Sequence, residues 1–326
     1  MKRGMWEDFT NPKLRTSALL LAFLAAGLII TNALSPAFRS PLNVQSILEQ
    51  IVPISFVGIG QTCALIIGSV DLSVGSLVSA ISAIAVKVIP PQSATINDVL
   101  FWLALAISLS IVVGLLNGLL INILEAPPLV ITIAVGFLVQ GLTFSLIQRP
   151  TGYIPRSIFG ILAHNVGDLF PISICWLFMI ATLIHLTLMF TRFGLYLYAV
   201  GNNKKAAQVS GINVKKMIIK AHMLTSLLAG IGGIFLTIRL GSGNPTGGAP
   251  YTLDSVIVAL LGGATFAGGE GNLWNSIIGC CIFVVLDNAL KMLQISPFIQ
   301  YVVKGALFLI AVLIHTSKQR GRVPGT

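Results

Sequence analysis

The sequence predicts an all-α, polytopic membrane protein with about ten transmembrane helices. Of its 326 residues, 55% are hydrophobic and only 9% are charged, whereas about a quarter of the residues of a soluble globular protein carry a charge. A helix that crosses a bilayer needs about 20 mostly apolar residues, and the chain contains many such runs. Because lipid offers no partner to exposed backbone groups, these runs are expected to be helical.

The apolar runs follow one another along the whole chain, so residues 1–326 are expected to form a single transmembrane domain. The first run follows a long leader that contains Glu7 and Asp8, which favours a retained span over a cleaved signal peptide. Pro-Pro pairs at 90–91 and 127–128 mark turns between runs. The predicted spans are 17–33, 48–67, 72–89, 99–124, 129–147, 172–190, 217–238, 255–267, 273–293 and 298–314.

The net charge of +10 is attributed to membrane orientation. The chain lacks the interleaved aromatic and basic residues of a single-strand binder, so no nucleic-acid partner is expected. When ten spans alternate from a cytoplasmic start, 13 basic residues fall on the cytoplasmic side and 6 on the other, in agreement with the positive-inside rule. The sequence therefore predicts a cytoplasmic N-terminal segment 1–16, a cytoplasmic loop 192–216 and a cytoplasmic tail 315–326.

Two segments depart from simple spanning helices. Residues 68–76 read Gly-Ser-Val-Asp-Leu-Ser-Val-Gly-Ser, and residues 262–272 read Gly-Gly-Ala-Thr-Phe-Ala-Gly-Gly-Glu-Gly-Asn. The run 255–267 before the second break is too short to cross alone. Broken helices are tolerated only where protein or a water-filled cavity satisfies the freed backbone groups. Corresponding breaks in two halves of a chain indicate a transport pathway.

The motifs of several enzyme classes are missing from the sequence. It contains no Gly-x-x-x-x-Gly-Lys-Ser/Thr phosphate loop, no His-Glu-x-x-His and no Gly-x-Ser-x-Gly. The four histidines are scattered, and the four cysteines lie inside apolar runs without the spacing of a metal site or a disulfide framework. We therefore expect no catalytic residue, no metal site and no cofactor bound by this chain.

Ionisable residues inside spans are costly in lipid, and each is a functional candidate. Structural roles are nevertheless favoured for several of them over the handling of substrate or protons. Asp71 with Ser73, and Asp254, precede apolar helices and suit their N-caps. Asp287 and Lys291 stand four residues apart and can pair on one helix face. The full set of ionisable candidates is Glu49, Asp71, His185, Asp254, Glu270, Asp287 and Lys304.

The predicted cytoplasmic loop contains the polar stretch 201–214, Gly-Asn-Asn-Lys-Lys-Ala-Ala-Gln-Val-Ser-Gly-Ile-Asn-Val. Ala206, Ala207 and Val209 would form the apolar side of a short helix that Gly211 ends. Such a helix can lie on the membrane surface or dock into a soluble partner, and periodicity does not decide between the two.

Several motifs resemble those of the ribose-type (monosaccharide) ABC importer permeases, and they occur in that family's order. Together they cover nearly the whole chain, from about residue 34 to about residue 314. They are Gly-Ser-Val-Asp-Leu-Ser-Val-Gly-Ser at 68–76, Ser-Gly-Ile-Asn-Val at 210–214, Arg-Leu-Gly-Ser at 239–242 through Pro-Thr at 245–246, Tyr-x-Leu-Asp at 251–254, Leu-Gly-Gly-Ala-Thr at 261–265 and Gly-Gly-Glu-Gly at 268–271.

The resemblance implies a subunit of a binding-protein-dependent monosaccharide importer in the bacterial inner membrane, with type II (vitamin B12-importer-like) permease architecture. Two permeases, either two copies or this chain and a sibling, would form the pathway within the membrane lipid. Separate cytoplasmic ATP-binding cassette subunits would hydrolyse ATP, and an extracytoplasmic sugar-binding protein would deliver the solute. This agrees with the lack of a recognisable aromatic-and-carboxylate sugar pocket in the sequence.

The resemblance also implies that the helix of the middle cytoplasmic loop is the coupling helix that docks into the ATPase. Family members commonly carry Gly-Gly-Asn-Glu-x-Ala-Ala there, and this chain has Lys204 in place of the glutamate. A more acidic ATPase surface is therefore expected opposite it. The predicted coupling residues are Asn202, Asn203, Lys204, Lys205, Ala206, Ala207, Gln208, Val209, Ser210 and Gly211.

The helix breaks and polar residues near them provide the pathway or gate candidates. Loops 148–171 and 241–254 are expected to dock the binding protein. The alternative function is an ion-coupled secondary transporter of a small polar solute, in which Asp287, Lys304 or His185 handles protons or ions. The pathway or gate candidates are Asp71, Ser73, Asn117, Glu270 and Asn288.

Overall fold

The computed structural model describes residues 12–34, 36–166 and 170–320. They form twelve α-helices, two 3-10 turns at Pro36–Arg39 and Arg156–Leu162, and a small antiparallel pair of strands, β1 (Asn165–Val166) and β2 (Phe170–Pro171). The helices are α1 Pro12–Leu34, α2 Pro41–Ile66, α3 Val74–Val88, α4 Ile96–Leu124, α5 Pro128–Leu146, α6 Ser173–Phe190, α7 Arg192–Asn202, α8 Lys204–Val209, α9 Val214–Leu240, α10 Tyr251–Leu261, α11 Leu273–Met292 and α12 Pro297–Arg320.

Seven of these helices are long and apolar enough to cross a membrane: α1, α2, α4, α5, α6, α9 and α11. Three shorter apolar helices, α3, α10 and Pro297–Leu313 of α12, occupy the remaining predicted runs. The prediction of an all-α, polytopic membrane protein is confirmed. The figure of about ten crossings stays a prediction.

Some predicted boundaries are shifted. Helix α1 begins at Pro12, inside the expected segment 1–16, and α12 extends to Arg320, inside the expected tail 315–326. The rest of those two segments, residues 1–11 and 321–326, lies outside the described residues. The expected loop 192–216 is largely helical, since α7 and α8 occupy most of it.

Helices α2, α9 and α11 form the centre of the bundle, whereas α1 and α6 lie at its edge. About two thirds of the apolar windows of α9 and α11 are buried, against 22% for α6 and none for α1. Glycines bring α4 directly against α9: a Cβ on Gly118 would lie 2.5 Å from Ile219 Cα, and one on Gly114 would lie 2.6 Å from His222 O. Small residues spaced four apart allow this approach where no hydrophobic effect drives helices together.

The bundle has two ends, named here the α8 end and the opposite end. Alternation of the helices brings the last residues of α2, α4, α6 and α10 to the α8 end. Ser17 of α1 donates to Asn275 near the start of α11, with 2.8 Å between Oγ and Oδ1. Ala311 of α12 packs with Leu65 and Ala264. The start of α1 and the later part of α12 therefore also lie toward the α8 end.

After α9 the chain turns back into the bundle without forming a helix. Gly241 adopts a φ of 60°, and the segment 241–250 then runs along α3 toward the α8 end. Its contacts with α3 are hydrogen bonds from Asn244 N to Ser82 Oγ (3.2 Å) and from Gly248 N to Ser79 Oγ (2.9 Å). Helix α10 consequently starts within the bundle, and its 11 residues span only about 16 Å at 1.5 Å per residue.

This course explains the short predicted run 255–267 and corrects one expectation. Helix α10 begins at Tyr251, so Asp254 lies inside its first turn. The prediction that Asp254 is an N-cap is wrong, because the helix starts four residues earlier than the apolar run suggests.

Replacing Gly75 with alanine tests the contact between α3 and the 241–250 segment. A Cβ at Gly75 would lie 2.8 Å from Gly248 O and would also clash with Thr252. Overpacking of this kind costs about 1–3 kcal/mol, so a lower unfolding temperature in detergent is expected. Gly141→Ala in α5 is the matched control, because no atom lies within 4 Å of its added Cβ. Equal unfolding temperatures for the two variants would contradict the described contact.

Candidate functional site

The two predicted glycine-rich breaks meet each other at the α8 end, at a place we call the junction (residues 67–73 and 262–272). Helix α2 stops at Ile66, and Gly269 N donates a hydrogen bond to Ile66 O (2.8 Å). Gly68, Gly268 and Gly269 have φ values of 72°, 85° and 74°, a conformation that glycine adopts without strain. Each break thus satisfies part of the backbone that the other leaves free.

Helix α7 packs against the junction from the side. The Tyr198 hydroxyl donates to Gly271 O (2.8 Å). A Cβ on Gly201 would lie 2.6 Å from Gly269 N and would overlap Ile66 O, so only glycine lets α7 approach both breaks. Because α8 follows α7 after a single residue, α8 is connected to both breaks through α7.

Helix α8 is shorter than the predicted coupling segment. Asn202 is the last residue of α7, and Asn203 caps α8 by accepting from Ala206 N (3.0 Å). The prediction of one apolar side is wrong: Ala207 is 4% exposed and faces the bundle, whereas Val209 is 90% exposed. An apolar side chain therefore stands on the exposed surface of α8, which also carries the exposed Lys204 and Lys205.

Three of the predicted gate candidates lie together at the junction. The Asp71 side chain is fully buried, and its Oδ1 accepts from Ser73 N (2.9 Å) and Ser73 Oγ (2.6 Å). Asn117 of α4 donates through Nδ2 to Asp71 Oδ2 (3.2 Å) and to Ser73 Oγ (2.8 Å). Ser73 occupies the N-cap position of α3, but its side chain makes no cap bond. The start of α3 is instead held by Asp71, which accepts from the backbone N–H of Ser73.

Helix α9 contributes residues to this cluster that the sequence did not indicate. His222 is fully buried, with Nδ1 3.4 Å from Asp71 Oδ2 and Nε2 2.8 Å from Ser69 Oγ. Ser226, one turn later, donates to Asp71 Oδ2 at 3.4 Å. The four-residue spacing of His222 and Ser226 on an apolar helix is the signal that could have identified them. Their common partner Asp71, 151 and 155 residues away, could not be identified from spacing.

The two other gate candidates lie elsewhere. Glu270 is exposed in the second break at the α8 end. Asn288 of α11 is buried toward the opposite end, where it exchanges two hydrogen bonds with Asn43 of α2 (3.2 and 2.8 Å). The structure therefore does not bring all five candidates into one site.

A cavity of about 830 Å³, lined by both apolar and charged side chains, lies in the opposite half, between α9, α10, α11, α12 and the segment 241–250. Lys304 Nζ lies 3.2 Å from Asp254 Oδ2 and 3.1 Å from Asp287 Oδ1, and Lys291 pairs with Asp287 as its spacing predicted. Further residues lining this cavity include Arg239, Asn244, Tyr251, Phe283, Gln300 and Tyr301. Among the described residues, no group of three or more His, Cys, Asp or Glu side chains is placed to hold a metal ion.

Substitution of Asp71 tests the junction cluster. Asp71→Asn keeps the size of the side chain but removes the charge that Ser73 and His222 contact, and hydrogen bonds to charged groups contribute about 1.5–3 kcal/mol each. A loss of about that size is expected in denaturant or thermal unfolding in detergent. Glu125→Gln is the control, because its one ion pair with a described residue, Lys215, is exposed and 4.0 Å long, and such pairs contribute about 0–1 kcal/mol. Similar losses in both variants would refute a stabilising role for the cluster.

Comparison with known proteins identifies the family. The family described as "branched-chain amino acid transport system / permease component" matches residues 43–312. The chain is 32% identical to the ribose import permease protein RbsC of Escherichia coli K12, over 95% of this chain and 97% of the relative. It is 33% identical to RbsC of Bacillus subtilis 168 (89% of each chain) and 28% identical to the xylose transport system permease protein XylH of E. coli K12 (97% of this chain, 95% of XylH).

No solved structure matches the chain at a significant level. The family match covers most of the sequence, and the relatives match it from end to end. The predicted resemblance is confirmed, and so is the prediction of a transport component in place of an enzyme. The chain belongs to the permease family of these membrane transport systems.

Proposed function

We propose that this chain is the transmembrane permease subunit of an ATP-driven, binding-protein-dependent importer for a monosaccharide such as ribose or a related small sugar. The observation that carries the proposal is the end-to-end similarity to permeases named for ribose import, at 32% and 33% identity. The connection of α8 to both helix breaks adds a mechanical reason, because such an importer must transmit movement from its ATPase to the pathway.

The proposed architecture is the type II, vitamin B12-importer-like arrangement, with about ten crossings in the bacterial inner membrane and both termini in the cytoplasm. Residues 1–326 form one permease domain, which pairs with a second copy or a sibling permease. Ten apolar helices support this count. The approach of Ser17 and Ala311 to the α8 end supports a common side for both termini.

Helix α8 is proposed as the coupling helix. Its exposed Val209 offers an apolar anchor, and its exposed Lys204 and Lys205 offer charges for an acidic ATPase surface. A groove of about 770 Å³ beside it, between α8, the α4–α5 turn and the start of α9, enlarges the available docking surface. ATP is hydrolysed by this separate subunit, and the permease itself carries no cofactor.

ATP binding would move α8 and, through α7, the junction. Closely packed segments with two discrete arrangements suit rigid-body switching. In this mechanism Asp71, Ser73 and Asn117 fix the start of α3, so that the first break moves as a unit with α4 and α9. Glu270 lies in the second break, and Asn288 ties α11 to α2 at the opposite end.

The extracytoplasmic sugar-binding protein is proposed to dock on loop 148–171. Arg156 of this loop forms an ion pair with Glu49 of α2 (2.6 Å), which holds the loop against the bundle. The second expected docking segment, 241–254, is not proposed as a docking surface, because it runs back along α3 instead of projecting from the bundle.

Charge reversal on α8 tests the coupling. Lys204→Glu with Lys205→Glu should weaken co-purification of the ATPase subunit in mild detergent and reduce ATP-driven ribose uptake in proteoliposomes about tenfold or more, because like charges would face each other across the contact. The unfolding temperature of the permease should not change, since both side chains are exposed.

Lys216→Glu with Lys220→Glu on α9 is the control, because it makes the same charge change on exposed residues outside α8. Full uptake by the α8 double variant would refute the docking assignment. Uptake that collapses with a protonophore while ATP remains high would replace the importer with the ion-coupled alternative.

A further inference from the structure

The cavity of the opposite half is bordered on one side by the non-helical segment 241–250. Its wall includes Asn244, Thr246 and Pro250 of the 241–250 segment, which enters the bundle alongside α3. Irregular backbone inside a membrane protein is tolerated where it is buried in protein or lines a water-filled cavity. The cavity has a volume of about 830 Å³, which falls within the range of small-molecule sites, about 300–1,000 Å³.

Four of the five charged side chains in this wall are paired with one another. Lys304 bridges Asp254 and Asp287, and Lys291 also pairs with Asp287. These four paired groups, two basic and two acidic, carry no net charge, so this part of the wall favours neither an anion nor a cation. A hydroxyl group both donates and accepts hydrogen bonds, so it can use the carboxylates and the cations side by side.

Arg239 is the remaining charged side chain of the cavity, and it does not take part in these ion pairs. Among the described residues it has no hydrogen bond and no ion-pair partner, although it lines the cavity close to Tyr251. A guanidinium group presents five N–H donors in a fixed planar arrangement. The aromatic rings of Tyr251 and Tyr301 supply flat apolar surface in the same wall.

We propose that this cavity binds a neutral, polyhydroxylated solute on its way through the chain, and that Arg239 is a specificity-determining residue that donates to the hydroxyl groups of the solute. This inference rests on the proposed function, which it deepens by naming the site and the ligand chemistry. It also assigns to the Asp254–Lys304–Asp287 cluster the role of presenting acceptors and a donor to the solute.

The cluster has a second consequence for passage of the solute. It joins α10, α11 and α12 through one lysine, since Lys304 of α12 contacts Asp254 of α10 and Asp287 of α11. Hydroxyl groups that bind these carboxylates compete with Lys304. Binding of the solute therefore loosens the contacts of α12 with α10 and α11, and release of the solute restores them.

The test is uptake of radiolabelled ribose, and of deoxyriboses that each lack one hydroxyl group, by the complete importer in proteoliposomes. A site that hydrogen-bonds a hydroxyl rejects the analogue lacking it. The wild type should therefore transport at least one deoxy analogue tenfold more slowly than ribose. Arg239→Gln should transport ribose at least tenfold more slowly, and its ratio of ribose uptake to uptake of that analogue should be lower than the wild-type ratio by about fivefold or more.

All variants are assayed with the same binding protein, so a difference between variants in the ratio of ribose to deoxyribose uptake is due to the permease. ATP hydrolysis stimulated by the loaded binding protein should stay within about twofold in Arg239→Gln, because the junction and α8 are untouched. Arg39→Gln is the matched control on an exposed arginine outside the cavity, and Arg239→Lys replaces Arg239→Gln if the latter elutes as an aggregate.

Each outcome has a distinct meaning. An unchanged ratio of ribose to deoxyribose uptake in the Arg239 variants, or an equal slowing of all analogues, would overturn the assignment of Arg239 while leaving the proposed importer intact. A wild type without ATP-dependent uptake of ribose, xylose or another small monosaccharide would overturn the proposed function, and the inference would fall with it.

Discussion

The rest of the structure depends on one constraint, the need to satisfy backbone polar groups where helices break inside a membrane. Unpaired N–H and C=O groups cost several kcal/mol each in hydrocarbon. Here the two breaks are placed against each other, and Gly269 N closes on Ile66 O. This contact requires glycine at positions with positive φ, and it requires Gly201 so that α7 can pack on both segments. The link from the exposed helix α8 to the interior follows from that packing.

The same constraint accounts for the two polar regions of the bundle. At the α8 end, the turn between α2 and α3 is stabilised by Asp71, which a buried network from α4 and α9 surrounds. In the opposite half, the irregular 241–250 segment leaves a cavity, and charged side chains from four helices, α9 to α12, line it. The junction holds a helix break rigidly, and the cavity leaves space for a solute. A pathway that switches between two arrangements needs both.

Features set by local sequence could be predicted, and features set by helix packing could not. Apolar runs placed every long helix, glycines marked both breaks, and four-residue spacing gave the pair of Asp287 and Lys291. The start of α10 was misplaced because a non-helical segment inside the bundle has the composition of an outer loop. His222 with Asp71 and Lys304 with Asp254 were missed because residues 151 and 50 positions apart meet only through the arrangement of whole helices.

Hydrogen–deuterium exchange of the complete importer in lipid nanodiscs, with and without a non-hydrolysable ATP analogue, tests most directly whether the junction responds to the ATPase. If α8 moves both breaks through α7, exchange at 66–73 and 262–272 should change together, while residues 204–209 become protected by the docked subunit. Protection of 204–209 with unchanged exchange in both breaks would contradict the mechanism, because the coupling helix would then dock without moving the junction.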